Sequence, residues 1–187
     1  MRTYQEALIT HGVTGSNIAG VFKGSEVLAL SAVASDLPGD KAITEETIFP
    51  IWSMSKPVTI VAMMVLLDQG KYSVDEPVAK YLPEFADLMC RPEDEDADLY
   101  PCENELLIEH LLTHRSGYSY YGIVGGEGPD FRYPYNDLED YIRHVAYWPV
   151  EFEPGTAYLY GINQAILGRL VEVPVSYTHL TLPTNGC

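Results

Sequence analysis

The chain has 187 residues and carries 27 acidic against 11 basic side chains, a formal net charge of −16. With 47% hydrophobic and 20% charged residues, its composition is that of one globular domain with a real core. The charge argues against nucleic acid, whose phosphates need Lys and Arg, and against adsorption to anionic membranes. No apolar run is long enough to span a bilayer; the longest covers residues 60 to 67.

The N-terminus shows no signal-peptide pattern, so a cytoplasmic protein is expected. Cys90, Cys102 and Cys187 form no C-x-x-C pair, which leaves a zinc or redox site unsupported. Cys90 and Cys102 flank an acidic loop and are expected as free thiols rather than a bridge.

In chain order, residues 4 to 12 read as the end of a helix stopped near Gly12. Residues 17 to 23 and 26 to 35 are β-rich runs joined by Gly24-Ser25, a hairpin signal. Residues 36 to 40 form a turn around Pro38-Gly39, and residues 47 to 51 are a short β-prone run. A helix is expected from Ser53 to about Gln69, with Pro57 in its first turn and Gly70 ending it. Apolar residues fill residues 58 to 67 of that helix on nearly every face, which predicts burial all round.

Residues 75 to 81 suggest a helical turn or two, and residues 91 to 98 an acidic, solvated loop without the spaced ligands and turn glycine of a calcium loop. A helix over residues 106 to 113 ends at Ser116-Gly117. Residues 118 to 135, rich in Gly, Tyr and Pro, read as a long loop, and long loops are often functional. A helix then starts at Asn136 with a capping-box-like Asn136/Glu139 pair and runs to about Ala146. Residues 153 to 156 make a turn and residues 162 to 172 a last helix. Strands followed by several helices, without βαβ alternation, indicate an α+β fold: an antiparallel sheet flanked by helices, with a helical subdomain inserted after the hairpin.

The chemistry centres on Ser53 and Lys56. Serine needs an adjacent base to act as a nucleophile at neutral pH. Residues three apart share one helix face, with β-carbons roughly 5–6 Å apart. At a helix N-terminus the local field is positive, and burial and field together predict a neutral lysine able to accept a proton. The same N–H groups can stabilise an oxyanion. A lone Ser-x-x-Lys is a weak signal, and its bland reading is a helix cap and a surface lysine. Its place at the junction of a β-rich run and a buried helix strengthens it. Tyr160, one of 14 tyrosines, is a second candidate, able to act as acid or base if a lysine ammonium lowers its pKa. His110 and His114 have a metal-ligand spacing, but Leu111 stands where a zincin motif needs Glu, so a metal site is not expected.

Residues 49–59 (FPIWSMSKPVT) resemble the nucleophile segment of family VIII carboxylesterases and class C β-lactamase-like proteins, within the penicillin-binding-protein superfamily. Further stretches match in order. Residues 75–85 (DEPVAKYLPEF) resemble the segment after the nucleophile helix. Residues 108–117 (IEHLLTHRSG) resemble an "hLLTHTSG" signature. Residues 153–156 (EPGT) followed by Tyr160 resemble the second motif. The resemblance covers nearly all of residues 16 to 172. It implies a sheet domain plus a helical domain, acylation of Ser53, proton transfer shared by Lys56 and Tyr160, and hydrolysis of the acyl-enzyme. It implies no cofactor and a small-molecule ester or amide substrate. The LLTH segment would be structural.

β-Lactamases of this type carry Tyr-x-Asn at the second motif, whereas here Tyr160-Gly161 is followed by Ile162, with Asn163 one place late. That tilts the implied activity toward a carboxylesterase, with a β-lactamase, a D-amino-acid peptidase or a non-catalytic ligand-binding relative as alternatives. The family's third motif lies far beyond the second, and the chain is expected to be truncated before those C-terminal strands, leaving it poorly active alone. Residues 175–184 (VSYTHLTLPT) resemble the translation of a transposase sequencing adapter. Residues 1–173 are therefore expected to be a truncated hydrolase domain and residues 174–187 a non-native tail.

Overall fold

The computed structural model describes residues 1–94, 96–120 and 135–175. Most of the long Gly- and Tyr-rich stretch, and the expected tail beyond residue 175, lie outside the described residues. The chain divides into two compact units, Met1–Pro50 and Ile51–Cys187.

The first unit is a helix, α1 (Arg2–Thr10), and a hairpin of β1 (Asn17–Lys23) and β2 (Glu26–Val33). The strands pair antiparallel from Asn17 opposite Val33 to Lys23 opposite Glu26, with a bulge between Val21 and Phe22. Gly24 turns the chain at φ 61°, a left-handed conformation that glycine adopts without steric cost. The buried Gln5 of α1 ties helix to hairpin, its amide donating to the Ser31 carbonyl at 2.9 Å.

The β-prone run at residues 47–51 is not a strand. Among the described residues it pairs with no strand, and Ile48, Phe49 and Ile51 are exposed, so neither a ladder nor a core holds it as a strand. The chain instead enters a 3₁₀ turn, Trp52–Ser55, that leads into α2 (Lys56–Asp68). Two one-turn 3₁₀ segments follow, Val78–Lys80 and Pro83–Phe85, and then the short strands β3 (Met89–Cys90) and β4 (Tyr100–Pro101). The remaining helices are α3 (Ile108–Leu112), α4 (Leu138–Val145) and α5 (Asn163–Val175). The mixture of antiparallel strands and helices is the expected α+β class.

Helix α5 is the hub of the second unit, packing against α2, α3 and α4. Its Ile166, Leu167 and Leu170 meet Met63 and Leu66 of α2, Ile108 and Leu111 of α3, and Ile142 and Val145 of α4 in one buried cluster. The cap of α4 differs from the expected Asn136/Glu139 pair. Asp137 is the N-cap and accepts from the Asp140 N–H at 2.8 Å, while the Asp140 carboxylate accepts the Asn136 N–H at 3.1 Å. Asp at the cap, shifted by one residue, satisfies the same orphan donors.

Helix α2 is not buried all round: only Met63 and Leu66 are fully buried, while Val58, Val61 and Val65 are 48–61% exposed. An apolar side chain every third or fourth residue is enough for one packed face, and the remaining apolar positions form a bare stripe.

Cys90 and Cys102 form a disulfide, contrary to the free thiols expected. The β3–β4 ladder is the reason. Cys90 pairs with Tyr100 and the Cys102 N–H donates to the Leu88 carbonyl at 2.9 Å, so the acidic loop folds back and brings the two Cα atoms to 5.2 Å. Closing so short a loop removes conformations from the unfolded chain, an effect of about 3 kcal/mol. Cys102→Ser, or reductant added to the unaltered protein, is therefore expected to lower stability by about 3 kcal/mol in a urea titration. An unchanged midpoint under reductant would show that the bridge does not form. Among the described residues no helix is long and apolar enough to cross a membrane.

Candidate active site

The second unit brings Ser53, Lys56 and Tyr160 together. Ser53 lies in the 3₁₀ turn and Lys56 opens α2, so the side chains three residues apart share a face. The Lys56 Nζ donates to the Ser53 Oγ at 3.1 Å. Trp52, just before Ser53, sits at φ 49°, in the left-handed region where a non-glycine residue costs about 1–2 kcal/mol. The turn is held by the Ser55 hydroxyl, which donates to the Trp52 carbonyl at 2.7 Å. A strained residue thus re-aims the chain so that Ser53 stands at the start of a helix.

Tyr160 arrives from the other side on the loop before α5. That loop is fastened to the segment after α3 by backbone bonds: Gly155 N–H to the Arg115 carbonyl and Leu159 N–H to the His114 carbonyl, both 2.8 Å. The Arg115 guanidinium also donates to the Gly155 carbonyl. The Glu153 carboxylate accepts from the Glu103 and Asn104 N–H groups at 3.0 Å. The two stretches singled out in the sequence as LLTHRSG and PGT therefore form one clasp, and the clasp presents Tyr160.

Gly161, the next residue, packs so tightly that a Cβ there would run into the Tyr118 carbonyl oxygen. Gly161→Ala is expected to cost about 1–3 kcal/mol through overpacking and to lower kcat by displacing Tyr160. Thermal denaturation beside steady-state kinetics checks it, and an alanine variant with unchanged stability and kcat would contradict it.

The Lys56 Nζ stands 5.0 Å from the centroid of the Tyr160 ring and 5.4 Å from that of Tyr120. Their electrostatics reverse one expectation. Burial pulls the Lys56 pKa down, but the phenols of Tyr120 and Tyr160 pull it up more strongly, so its net direction is upward and the ammonium is favoured. The Tyr160 phenol moves the other way, lowered first by the Ser53 hydroxyl and then by the Lys56 ammonium. Beside Ser53 the lysine is thus shifted toward its charged form and the tyrosine toward its phenolate. Tyr120 is a site residue that the sequence does not single out; nothing in a tyrosine-rich stretch marks it.

His110 and His114 do not share a face. Helix α3 ends at Leu112, and His114, at φ 56°, turns away from the helical path. His110 caps α3 instead, its Nδ1 accepting from the Leu107 N–H at 3.2 Å. His114 packs on Tyr160, ring centroids 4.8 Å apart at 34°. Asn163, fully buried, is turned to His114 and Ser116. Ile162, at the position where β-lactamases of this type carry asparagine, is buried in the core. Cys90, Cys102 and Glu153 come within 4.8 Å of one another, but both sulfurs are committed to the disulfide.

Comparison with known proteins places the chain in a family. The beta-lactamase family model matches residues 2–180. Esterase EstB of Burkholderia gladioli is 31% identical over 90% of this chain and 43% of its own length. Lovastatin esterase of Penicillium rubens is 25% identical over 91% of this chain and 45% of its own. Among solved structures, EstCE1, described as a hydrolase with promiscuous acyltransferase activity, superposes with a TM-score of 0.73 at 23% identity, over 94% of this chain and 46% of that one. The octameric penicillin-binding protein homologue from Pyrococcus abyssi superposes at 0.67 and 24% identity, over 95% of this chain and 39% of that one. At these identities the superpositions speak for the fold alone. The chain spans less than half the length of these relatives. With a family match across nearly its whole length, the chain belongs to the beta-lactamase family, whose serine β-lactamase and transpeptidase-like fold also houses esterases.

Proposed function

We propose that the whole protein is a serine hydrolase that works through an acyl-enzyme on Ser53, of the carboxylesterase type. The observation that carries this is the Ser53–Lys56 hydrogen bond set beside a tyrosine whose pKa is lowered. In this reading Tyr160, as phenolate, accepts the Ser53 proton while the Lys56 ammonium stabilises the phenolate and orients the hydroxyl. Ser53 Oγ attacks the ester carbonyl, and backbone N–H groups in the first turn of the helix stabilise the developing oxyanion. Tyr160 returns the proton to the departing alkoxide. Water then attacks the acyl-enzyme by the reverse route, with Tyr160 again as base.

The choice of ester over β-lactam rests on Ile162 and Asn163. The Asn163 amide is buried and already bonded to Ser116 and His114, and the neighbouring Gln164 amide is turned to His114, so neither is offered to a substrate amide. The relatives named as esterases support the same choice. A p-nitrophenyl ester and a chromogenic cephalosporin, assayed with the full-length protein, separate the two. A higher kcat/KM for the ester is expected, and the reverse order would overturn the ester assignment while leaving the serine mechanism standing.

The paired cysteines favour an oxidising compartment over the cytoplasm expected from the N-terminus. The exposed apolar stripe of α2 supports the proposal that the 187-residue chain alone is weakly active, with further chain needed to cover that face. Residues 174–187 remain, as a proposal, an added tail; sequencing the source DNA across their codons tests it.

A further inference from the structure

His114 lies outside the reacting cluster, yet it is more constrained than a packing residue needs to be. Its ring contacts Tyr160 at 4.8 Å and Tyr158 at 6.0 Å between centroids. Both ring nitrogens are engaged from α5: Nδ1 by the Asn163 amide at 2.7 Å and Nε2 by the Gln164 amide at 3.2 Å. Asn163 is bonded on both sides. The Ser116 oxygen already takes the Tyr118 N–H, so its hydroxyl donates to Asn163 Oδ1, and Asn163 Nδ2 donates to His114 Nδ1. The ring proton is thereby placed on Nε2. An Nε2–H needs an acceptor opposite it, and the Gln164 Oε1, buried and otherwise without a partner among the described residues, supplies one once the amide is turned. With Asn163 placed this way, a proton on Nδ1 would face the Asn163 Nδ2 and no acceptor.

We infer that His114, bracketed by Asn163 and Gln164 as the neutral Nε2–H tautomer, is a positioning residue that fixes the ring of Tyr160 over Lys56 and keeps a second cation out of the Ser53–Lys56–Tyr160 cluster. Among the described residues, Lys56 of α2 is the charged group acting on the ring, and its ammonium together with burial lowers the His114 pKa, burial first. An imidazolium here would compete with Lys56 for the phenolate and make it a weaker base. The left-handed backbone at His114 serves the same end, because a helical residue would carry the ring along α3 and away from Tyr160. The inference rests on the reading of Tyr160 as the proton acceptor.

The test pairs kinetics with spectroscopy on the full-length protein. Asparagine tolerates the left-handed backbone and keeps a polar link to Asn163, so His114→Asn removes the ring with little other change. It is expected to lower kcat about 10–100-fold with KM little changed, the signature of a misplaced catalytic group. Imidazole ¹⁵N shifts of the unaltered protein are expected to show a neutral Nε2–H ring at about pH 5.5, where an ordinary histidine, near 6.5, is mostly protonated. An imidazolium or an Nδ1–H tautomer at that pH would overturn the inference even if the variant failed to fold. So would a folded His114→Asn enzyme with unchanged kcat while Ser53→Ala is inactive. Full activity in Ser53→Ala would instead defeat the serine reading on which the inference rests.

Discussion

Replacing Ser53 with alanine is expected to lower kcat for ester hydrolysis by on the order of 10⁴-fold or more, with the fold intact. The size of the loss follows from what the hydroxyl does. In the proposed mechanism it forms the covalent bond that divides one difficult displacement into two easier ones, and water cannot take its place next to the Lys56 Nζ with the same geometry. Ser53 is exposed and packs no core, so the substitution leaves the hydrophobic cluster of α2, α3, α4 and α5 untouched. Circular dichroism and an unchanged melting temperature accompanying the kinetic loss identify it as chemical. An alanine variant that retained more than a small fraction of activity would place the nucleophile elsewhere.

The second large effect concerns Tyr160. Tyr160→Phe keeps the ring on His114 and over Lys56 but removes the proton acceptor, and is expected to lower kcat by about 10²–10⁴-fold. The pH dependence carries a sign. The Tyr160 pKa is lowered in the folded protein, and the proposed mechanism needs its phenolate. Activity is therefore present above that pKa and lost as pH falls through it, with the acid limb lying below tyrosine's ordinary range near 10. Removing the ammonium in Lys56→Met takes away one of the causes of the lowering, so the acid limb should move to higher pH as the rate falls. A limb that moved to lower pH, or stayed in place, would show that Tyr160 does not set it.

Lys56 also shows where local sequence logic stops. From the chain alone, a lysine three residues after serine at a helix start is expected to be neutral, because burial and the helix field both disfavour its charge. Those effects are local and legible. The phenols that reverse the outcome come from residues 120 and 160, distant in sequence, one in a loop with no pattern and the other on a turn beyond α4. No period or spacing in the sequence encodes their approach. The same holds for the disulfide. Two cysteines 12 apart do not announce that a two-residue ladder will fold the acidic loop between them.

What was legible had local causes. The β1–β2 hairpin followed from two β-rich runs around Gly24-Ser25, and α2 and α5 from long apolar runs, α2 with Pro57 at its start and Gly70 at its end. Ser53 with Lys56 was legible because three-residue spacing at a helix start leaves few geometries. The run at residues 47–51 was misread since β propensity needs a partner strand. The place of His114 against Tyr160 was not legible, because it depends on where the helix ends, at Leu112, and on a left-handed residue beyond it.

A covalent intermediate on Ser53 leaves a trace that a mechanism-based label captures. The full-length protein is treated with a fluorophosphonate, digested, and the modified peptide identified by mass spectrometry. A single adduct on Ser53 is expected, formed in competition with ester substrate and slowed in Tyr160→Phe. An adduct on another residue, or no adduct on an enzyme that is turning over ester, would contradict it.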